Sequence, residues 1–291
     1  CRLSIVDIEH GSQPMANEDG TVHVMLNGEI YNHRELRSGL ERKGHVFRSC
    51  SDTEVVAHLY EEQGGNCLEL LNGMFGLAVF DSRAGKLLLA RDRCGMKPLY
   101  TAQTSRGFLF ASEIKALLAS RLLQAEPDLD AVDSFLTVGY VPAPDTGFRG
   151  VRKLEPGEAL TLDSNGISSR IFYRLRFENS HPRASEQEYV REIETRLTAA
   201  VKSHLVADVP VGAFVSGGID SSLVAALAVA YAPYRIKSFS IVFPDDSRVD
   251  ESRYSRELVR QLGTEHHEIE FRVSEAPDLL PKMVRHLEEP N

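Results

Sequence analysis

The sequence predicts two layered domains in series: a mostly antiparallel α+β domain, then a doubly wound parallel α/β domain. Three observations predict this. In the first part, short apolar strands recur in pairs around turns such as "DSRAGK" and "DSNG". In the second, strand patterns alternate with helix patterns, which implies parallel pairing. Between them "ENSHPRASE", Glu178 to Glu186, is polar and contains Pro and Ser, as a linker does. The expected domains are residues 1–177 and 186–291, and 291 residues suit two domains of about 100–200 residues each.

The elements follow in order. Thr21–Leu26 reads as a strand, and Asn27-Gly28-Glu29 as a tight turn after it. A polar helix is expected over His33–Lys43 and a short strand over His45–Cys50. Ser51 with Glu54 three residues later forms a capping-box pattern, so a helix should run to about Gln63. Strands are expected at Phe75–Phe80, Leu87–Arg91, Leu99–Gln103 and Gly107–Ala111, then helices at Glu113–Ala119 and Leu129–Val138. Ala159–Leu162 and Ile167–Tyr173 close the antiparallel part. Beyond the linker come a helix at Gln187–Leu205, a strand at Val209–Val215, a helix at Ser222–Tyr231 and a strand at Lys237–Phe243. A helix at Glu251–Leu262, a strand at His266–Phe271 and a helix at Asp278–Glu288 complete the alternation.

Composition excludes several functions. Hydrophobic residues make up 42% and charged residues 26%, the balance of a globular protein with a sizeable core. The net charge of −9 and the lack of a Lys/Arg stripe give no support to a nucleic-acid partner. No apolar run reaches the roughly 20 residues of a membrane span, so no membrane partner is expected. Cysteines at 1, 50, 67 and 94 form no C-x-x-C pair. This argues against a disulfide framework or zinc motif and for a reducing, cytoplasmic setting.

The most informative passage is "VPVGAFVSGGIDSSLVAAL". An apolar strand ends at Val215, Ser216-Gly217-Gly218-Ile219-Asp220-Ser221-Ser222 turns sharply, and an apolar helix follows. Ligands of open parallel sheets sit at the carboxyl ends of the strands, where this loop lies. Two glycines let the backbone approach a ligand, the helix N-terminus favours an anion, and Ser216, Ser221 and Ser222 add hydroxyls. Asp220 would repel a phosphate unless Mg²⁺ bridges the two. The passage lacks the Gly-Lys-Ser/Thr of a Walker A loop. It suits a pyrophosphate leaving group, hence adenylyl transfer. The bland alternative is a strand-to-helix turn whose Ser and Asp only cap the helix.

"SGGIDSS" resembles the pyrophosphate loop of the N-type ATP pyrophosphatases. With "RLSIVD", "LNGEIYNHRELR", "SDTE", "LNGMFGLAVFD", "RDRCGMKPLY" and "ASEIKALL" in order, the chain resembles the glutamine-hydrolysing asparagine synthetases from Arg2 onward. The resemblance implies an N-terminal-nucleophile glutaminase of αββα sandwich form, followed by an ATP-pyrophosphatase synthetase domain. It implies the substrates glutamine, aspartate and ATP, with Mg²⁺, and a homodimer. Glutamine would yield ammonia, and aspartate would pass through β-aspartyl-AMP to asparagine, releasing AMP and pyrophosphate. Relatives that amidate other carboxylates, or a nucleotide-binding descendant without glutaminase activity, are the alternatives.

By the same resemblance, Arg2 would bind the glutamine carboxylate, with Ile5 and Val6 beside it. Asn27 and Gly28 would supply the oxyanion hole, while Glu29 and Asp52 would face the glutamine ammonium. Val215 and Ile241 would contact adenine; Ser216, Gly217, Gly218, Ser221 and Ser222 would hold ATP; Asp220 would reach Mg²⁺ through the pyrophosphate. Arg91-Asp92 and Ser112-Glu113-Lys115 match further family segments, for which a salt-bridged structural role is expected. Cys94 departs from the family pattern and is expected to be a buried, inert thiol. His266 and His267 are adjacent on a strand, hence on opposite faces, and do not suit one shared metal.

Cys1 raises its own question, because an N-terminal thiol carries a base in its α-amino group. The family nucleophile is usually followed by Gly-Ile and stands far upstream of the Asn-Gly pair, whereas Cys1 precedes Arg2-Leu3 and lies 26 positions before Asn27. The expectation is that Cys1 is not the nucleophile, that the chain is a fragment lacking both ends, and that it is inactive alone.

Overall fold

The structure, a computed structural model, describes residues 5–8, 10–177 and 184–289. It divides into two compact units: residues up to Arg176 together with Met283 onward, and Phe177–Lys282.

In the first unit, β1 (Met15–Ala16) and β2 (Val22–Ile30) lead to α1 (His33–Glu41) and α2 (Asp52–Gln63). After a 3₁₀ turn at Gly64–Glu69 come β3 (Gly73–Asp81), β4 (Lys86–Arg91), β5 (Tyr100–Thr104) and β6 (Gly107–Ala111). Helices α3 (Ile114–Ala119) and α4 (Leu129–Val138) precede β7 (Val151–Lys153), β8 (Glu158–Asp163) and β9 (Gly166–Ile171). One antiparallel sheet has the order β1-β2-β3-β4-β8-β9, and a second has the order β6-β5-β7.

Period-2 alternation explains the layering. Phe75, Leu77 and Val79 of β3, with Leu88 and Ala90 of β4, pack into a core that includes Val55, Val56 and Leu59 of α2. Ala78 and Leu89 point the other way, to Leu99, Leu154 and Phe108 at the second sheet. Beyond it, Tyr100, Ala102 and Val151 meet Ile114 and Leu117 of α3. The layers are therefore helix, sheet, sheet, helix, the αββα arrangement that the resemblance implies.

Three local expectations fail here for physical reasons. The chain does not turn at Asn27-Gly28-Glu29: β2 runs straight through, with Asn27 opposite Gly76, Gly28 opposite Phe75 and Glu29 opposite Met74. No strand forms over His45–Cys50, because side chains take its amides: Val46 N–H donates to Glu18, Arg48 and Ser49 N–H to Glu54, and Cys50 N–H to Asp7. For the same reason Ser51 and Glu54 make no capping box. Ser51 Oγ accepts from Thr53 N–H at 3.3 Å, while the Glu54 carboxylate is turned to Arg48 and Ser49.

The second unit begins with α5 (Glu186–His204), where Ser185 and Glu188 do form a capping box. Then come β10 (Gly212–Phe214), α6 (Ile219–Tyr231), β11 (Lys237–Val242), α7 (Ser252–Leu262) and β12 (Glu265–Glu270). The last helix is α8 (Ala276–Leu287). The strands pair in parallel in the order β10-β11-β12. Val215, Ala225 and Val259 join strand end, α6 and α7 in one cluster. Helix α6 starts three residues earlier than expected, so Asp220, Ser221 and Ser222 lie in its first turn rather than in the loop. No helix of the described residues is long and apolar enough to cross a membrane.

Candidate functional site

The first unit contains a cleft of ≈ 470 Å³ whose walls include Asn27, Gly28 and Glu29 of β2, Asp52 and Thr53 of α2, and Ser112 and Glu113 before α3. Strand alternation puts Asn27 and Glu29 on the same side of β2, opposite to the side chains of Leu26 and Ile30 that enter the helix-facing core. Gly28 has φ +147°, and a Cβ there would lie 1.9 Å from the Met74 carbonyl oxygen. The strand can pass this point only with glycine.

Two buried carboxylates fix the cleft's frame. Asp52, 3% exposed, accepts the Ile30 N–H at 2.8 Å and so ties the start of α2 to the end of β2. Asp92, 1% exposed, accepts from the backbone N–H groups of Phe75, Cys94, Met96 and Lys97 at 2.9–3.1 Å. That grip shapes the loop leading to Pro98, another wall residue. Arg91 donates to the carbonyls of Lys97, Leu154 and Gly95. Arg91 and Asp92 thus act through backbone hydrogen bonds rather than the expected salt bridge, whereas Lys115 does pair with Glu113 at 3.3 Å. Cys94 is exposed, contrary to expectation, because the Asp92 grip draws its amide inward and leaves the thiol outside.

Among the described lining residues Glu29, Asp52 and Glu113 are acidic and none is basic, a setting that favours an ammonium group. Burial first, then the charges of Glu29 and Asp92, push the Tyr31 phenol up to about 12, so it remains protonated at neutral pH. Gln13 is a wall residue that sequence reasoning missed. Its amide donates to the Leu26 carbonyl and Thr53 Oγ1 and accepts from Leu26 N–H at 2.8 Å, bridging β2 and α2. A single Gln before Pro14 carries no periodic signal that would have flagged it. Arg2 and Cys1 lie outside the described residues. Ile5 is half-buried and Val6 buried, and neither lines the cleft.

In the second unit, Val215, Ser216, Ser221 and Ile241 line a pocket of ≈ 350 Å³ with Phe214, Phe239, Phe243 and Glu251. Val215 N–H donates to the Phe239 carbonyl and its carbonyl accepts from Ser240, while its side chain packs against Ala225 and Val259 at the pocket floor. Gly217 has φ +84°, and a Cβ there would lie 2.5 Å from Tyr254 Cβ. Ser216 Oγ and Ser221 Oγ are 3.1 Å apart, and Ser222 Oγ donates to the Gly218 carbonyl at 2.7 Å. Gly218 is the N-cap of α6 and contributes no side-chain acceptor, which leaves the first-turn amides for an anion. Ser216 and Asp220 are exposed. Phe239 within β11, Phe243 just after it and Glu251 at the N-cap of α7 were not foreseen as site residues, since tertiary contacts from separate elements leave no local sequence pattern. His266 meets Ser238 at 2.9 Å while His267 stacks on Phe239, so the pair does not converge.

Comparison with known proteins assigns the two parts of the chain to families. Residues 1–173 match the glutamine amidotransferase domain family and residues 192–291 match the asparagine synthase family. Among curated proteins, the chain is 36% identical over 290 residues to glutamine-hydrolysing asparagine synthetase 1 of Bacillus subtilis, covering 99% of this chain and 45% of that protein. It is 34% identical to asparagine synthetase 2 of Arabidopsis thaliana over 99% of this chain and 45% of the relative. It is 32% identical to asparagine synthetase B of Escherichia coli over 99% and 48% respectively. The chain therefore spans about half the length of these relatives. Among solved structures, the B. subtilis glutamine phosphoribosylpyrophosphate amidotransferase bound to ADP and GMP aligns with TM-score 0.41 at 18% identity, over 89% of this chain and 64% of that one.

Proposed function

Given that the chain belongs to the glutamine amidotransferase domain family and continues into an asparagine synthase match, we propose that the protein is a glutamine-dependent amide ligase, an asparagine synthetase. The observation that carries the reading is the pairing, on one chain, of the Asn27–Gly28–Glu29–Asp52 cleft with the Ser216–Ser222 strand-to-helix bend.

In the first cleft, the Asn27 side-chain amide and the Gly28 N–H donate to the carbonyl oxygen of the glutamine side-chain amide, where negative charge develops as its carbon is attacked. Glu29 and Asp52 hold the glutamine ammonium, and Arg2 holds its carboxylate. In the second, the first-turn amides of α6 with Ser216, Gly217, Gly218, Ser221 and Ser222 hold the diphosphate of ATP, and Val215 and Ile241 contact the base. The released ammonia then displaces AMP from the activated β-carboxyl of aspartate. Asp220 fits Mg²⁺: it is an exposed carboxylate beside hydroxyl oxygens, and hard divalent cations favour oxygen ligands, water and phosphate. When bound, the ion neutralises the departing diphosphate. Free thiols at Cys50, Cys67 and Cys94 suit a reducing cytoplasm, and light scattering checks the homodimer that belongs to the same reading.

The test separates the two halves in the full-length protein. With glutamine, aspartate and Mg-ATP, asparagine, AMP and pyrophosphate should appear in equal amounts. Asn27→Ala should cut glutamine hydrolysis by about 10²–10³-fold, the usual loss for one oxyanion donor, while ammonia-dependent synthesis survives. Asp220→Asn should do the reverse. Loss of neither activity in these variants, or amidation of another carboxylate in preference to aspartate, overturns the assignment.

A further inference from the structure

Away from both clefts, two imidazoles and two carboxylates of the first unit converge. Glu18 comes from the loop between β1 and β2, His45 from the segment after α1, and His58 and Glu61 from α2. One ligand atom from each lies within 4.8 Å of the other three. His58 is fully buried, and neither of its ring nitrogens makes a hydrogen bond of acceptable geometry. Both imidazoles nevertheless turn Nδ1 toward Glu18, at 3.1 Å in each case. Each also turns Nε2 toward a second carboxylate, His45 to Glu62 at 3.3 Å and His58 to Glu54 at 3.6 Å.

We propose that Glu18, His45, His58 and Glu61 form a structural site for a divalent transition ion of the zinc class. Two imidazole nitrogens and two carboxylate oxygens are a common four-coordinate donor set for that ion, and imidazole argues against Mg²⁺ or Ca²⁺. At bond lengths of about 2.0–2.2 Å, tetrahedral donors stand roughly 3.4 Å apart, so the side chains need contract by no more than about 1.4 Å around the ion. The carboxylate behind each imidazole is the outer arrangement that orients metal-bound histidines and raises their basicity. Asn17 Nδ2 donates to Glu61 Oε2 at 2.8 Å, which orients the fourth ligand in the same way. The charge also balances: a dication offsets Glu18 and Glu61 beside a buried ring that has no well-formed hydrogen bond of its own. Bound there, the ion clips the middle of α2 to the β1–β2 loop and the His45 segment. The same helix presents Asp52 and Thr53 to the glutamine cleft, so the clip braces that wall from behind.

The test uses the full-length protein, freed of metal by chelator dialysis and titrated with Co²⁺ in the absence of nucleotide. One equivalent should bind with the strong visible absorption of a tetrahedral ion, and Zn²⁺ should displace it and raise the thermal midpoint. His58→Gln should weaken binding by at least about tenfold. Because that change is in the core, Glu61→Gln, at an exposed position, provides the second reading and should also lose the absorption with the fold intact by circular dichroism. A featureless titration, or equal binding by the parent and both variants, overturns the site.

Discussion

The two clefts are built in opposite ways. In the first unit, carboxylates are buried and spent on backbone amides: Asp52 on Ile30, Asp92 on the N–H groups of Phe75, Cys94, Met96 and Lys97, Glu158 on Glu155 N–H. In the second, Ser216 and Asp220 are exposed, and the loop hydroxyls bond chiefly to one another and to the Gly218 carbonyl. Phe214 and Ile241 at that pocket are 80% and 57% exposed. The difference teaches where each site gets its geometry. A buried, fully bonded carboxylate holds its neighbours in place because any departure strands donors in a low dielectric. An exposed bend gains little from its own hydroxyls and depends on backbone shape. The first cleft is thus pre-set by folding; the second is held by its glycines and, on the function proposed above, would be completed by an anion.

The largest expected effects strike at backbone shape in both units. Gly28→Ala sets a Cβ 1.9 Å from the Met74 carbonyl in the middle of the β2–β3 ladder. A loss of about 4 kcal/mol or more is expected, a size reserved for a few mechanisms including forced backbone strain. Gly217→Ala, at φ +84°, meets Tyr254 Cβ at 2.5 Å and the Ser255 backbone nitrogen at 2.9 Å, so about 1–3 kcal/mol is expected there, the usual cost of overpacking. Denaturant unfolding gives both numbers, and glutamine hydrolysis and ATP–pyrophosphate exchange in the full-length protein assign each to its half. An unchanged unfolding midpoint for Gly28→Ala would show that β2 does not follow this path.

A middle-sized effect tests the buried-carboxylate side of the contrast. Glu158, 1% exposed, receives Arg152 Nη2 at 2.8 and 2.9 Å, Ser169 Oγ at 2.7 Å and Glu155 N–H at 2.8 Å. It joins β7 of one sheet to β9 of the other. Burial pushes its carboxyl up, but Arg152, the Glu155 amide and Ser169 together outweigh that and hold it below the usual carboxylate range. A folded-state value below the unfolded one means stabilisation that is complete above the ordinary carboxylate range and is lost as pH falls through the depressed value. Glu158→Gln should cost about 1.5–3 kcal/mol at neutral pH, the worth of hydrogen bonds to a charged group. It should also flatten the acid side of the stability–pH curve. A variant whose curve parallels the parent's would mean that Glu158 contributes nothing through its charge.

How far the sequence could show these features depends on whether their causes are local. The hairpins around "DSRAGK" and "DSNG" and the start of α2 at Ser51 were legible, since apolar alternation and turn or cap residues act within a few positions. Asn27-Gly28 misled because the same dipeptide serves a hairpin turn and a strand that another backbone approaches closely. Only Met74, far along the chain, decides between them. His45–Cys50 misled because carboxylates of Asp7, Glu18 and Glu54 outcompete a partner strand for its amides. The site motifs named Asn27, Gly28, Glu29 and Asp52, and the fold brings all four to one cleft. Gln13, Phe239 and Phe243 were invisible, since each reaches its site by tertiary packing rather than by a spacing.

The smallest stability effect is the sharpest probe of the exposed bend. Ser222 Oγ donates to the Gly218 carbonyl at 2.7 Å within the first turn of α6, next to the backbone donors that an anion would take. Ser222→Ala removes one hydrogen bond at a partly open position, so no more than about 1 kcal/mol should be lost. If the bend is completed by its anion, however, the hydroxyl matters more with a diphosphate present than without one. Pyrophosphate should therefore protect the parent against thermal unfolding more than it protects Ser222→Ala, although the two are nearly equal in its absence. Glutamine hydrolysis, which depends on the pre-set cleft, should not change. Equal protection of both proteins by pyrophosphate would remove the contrast between a site finished by folding and a site finished by its ligand.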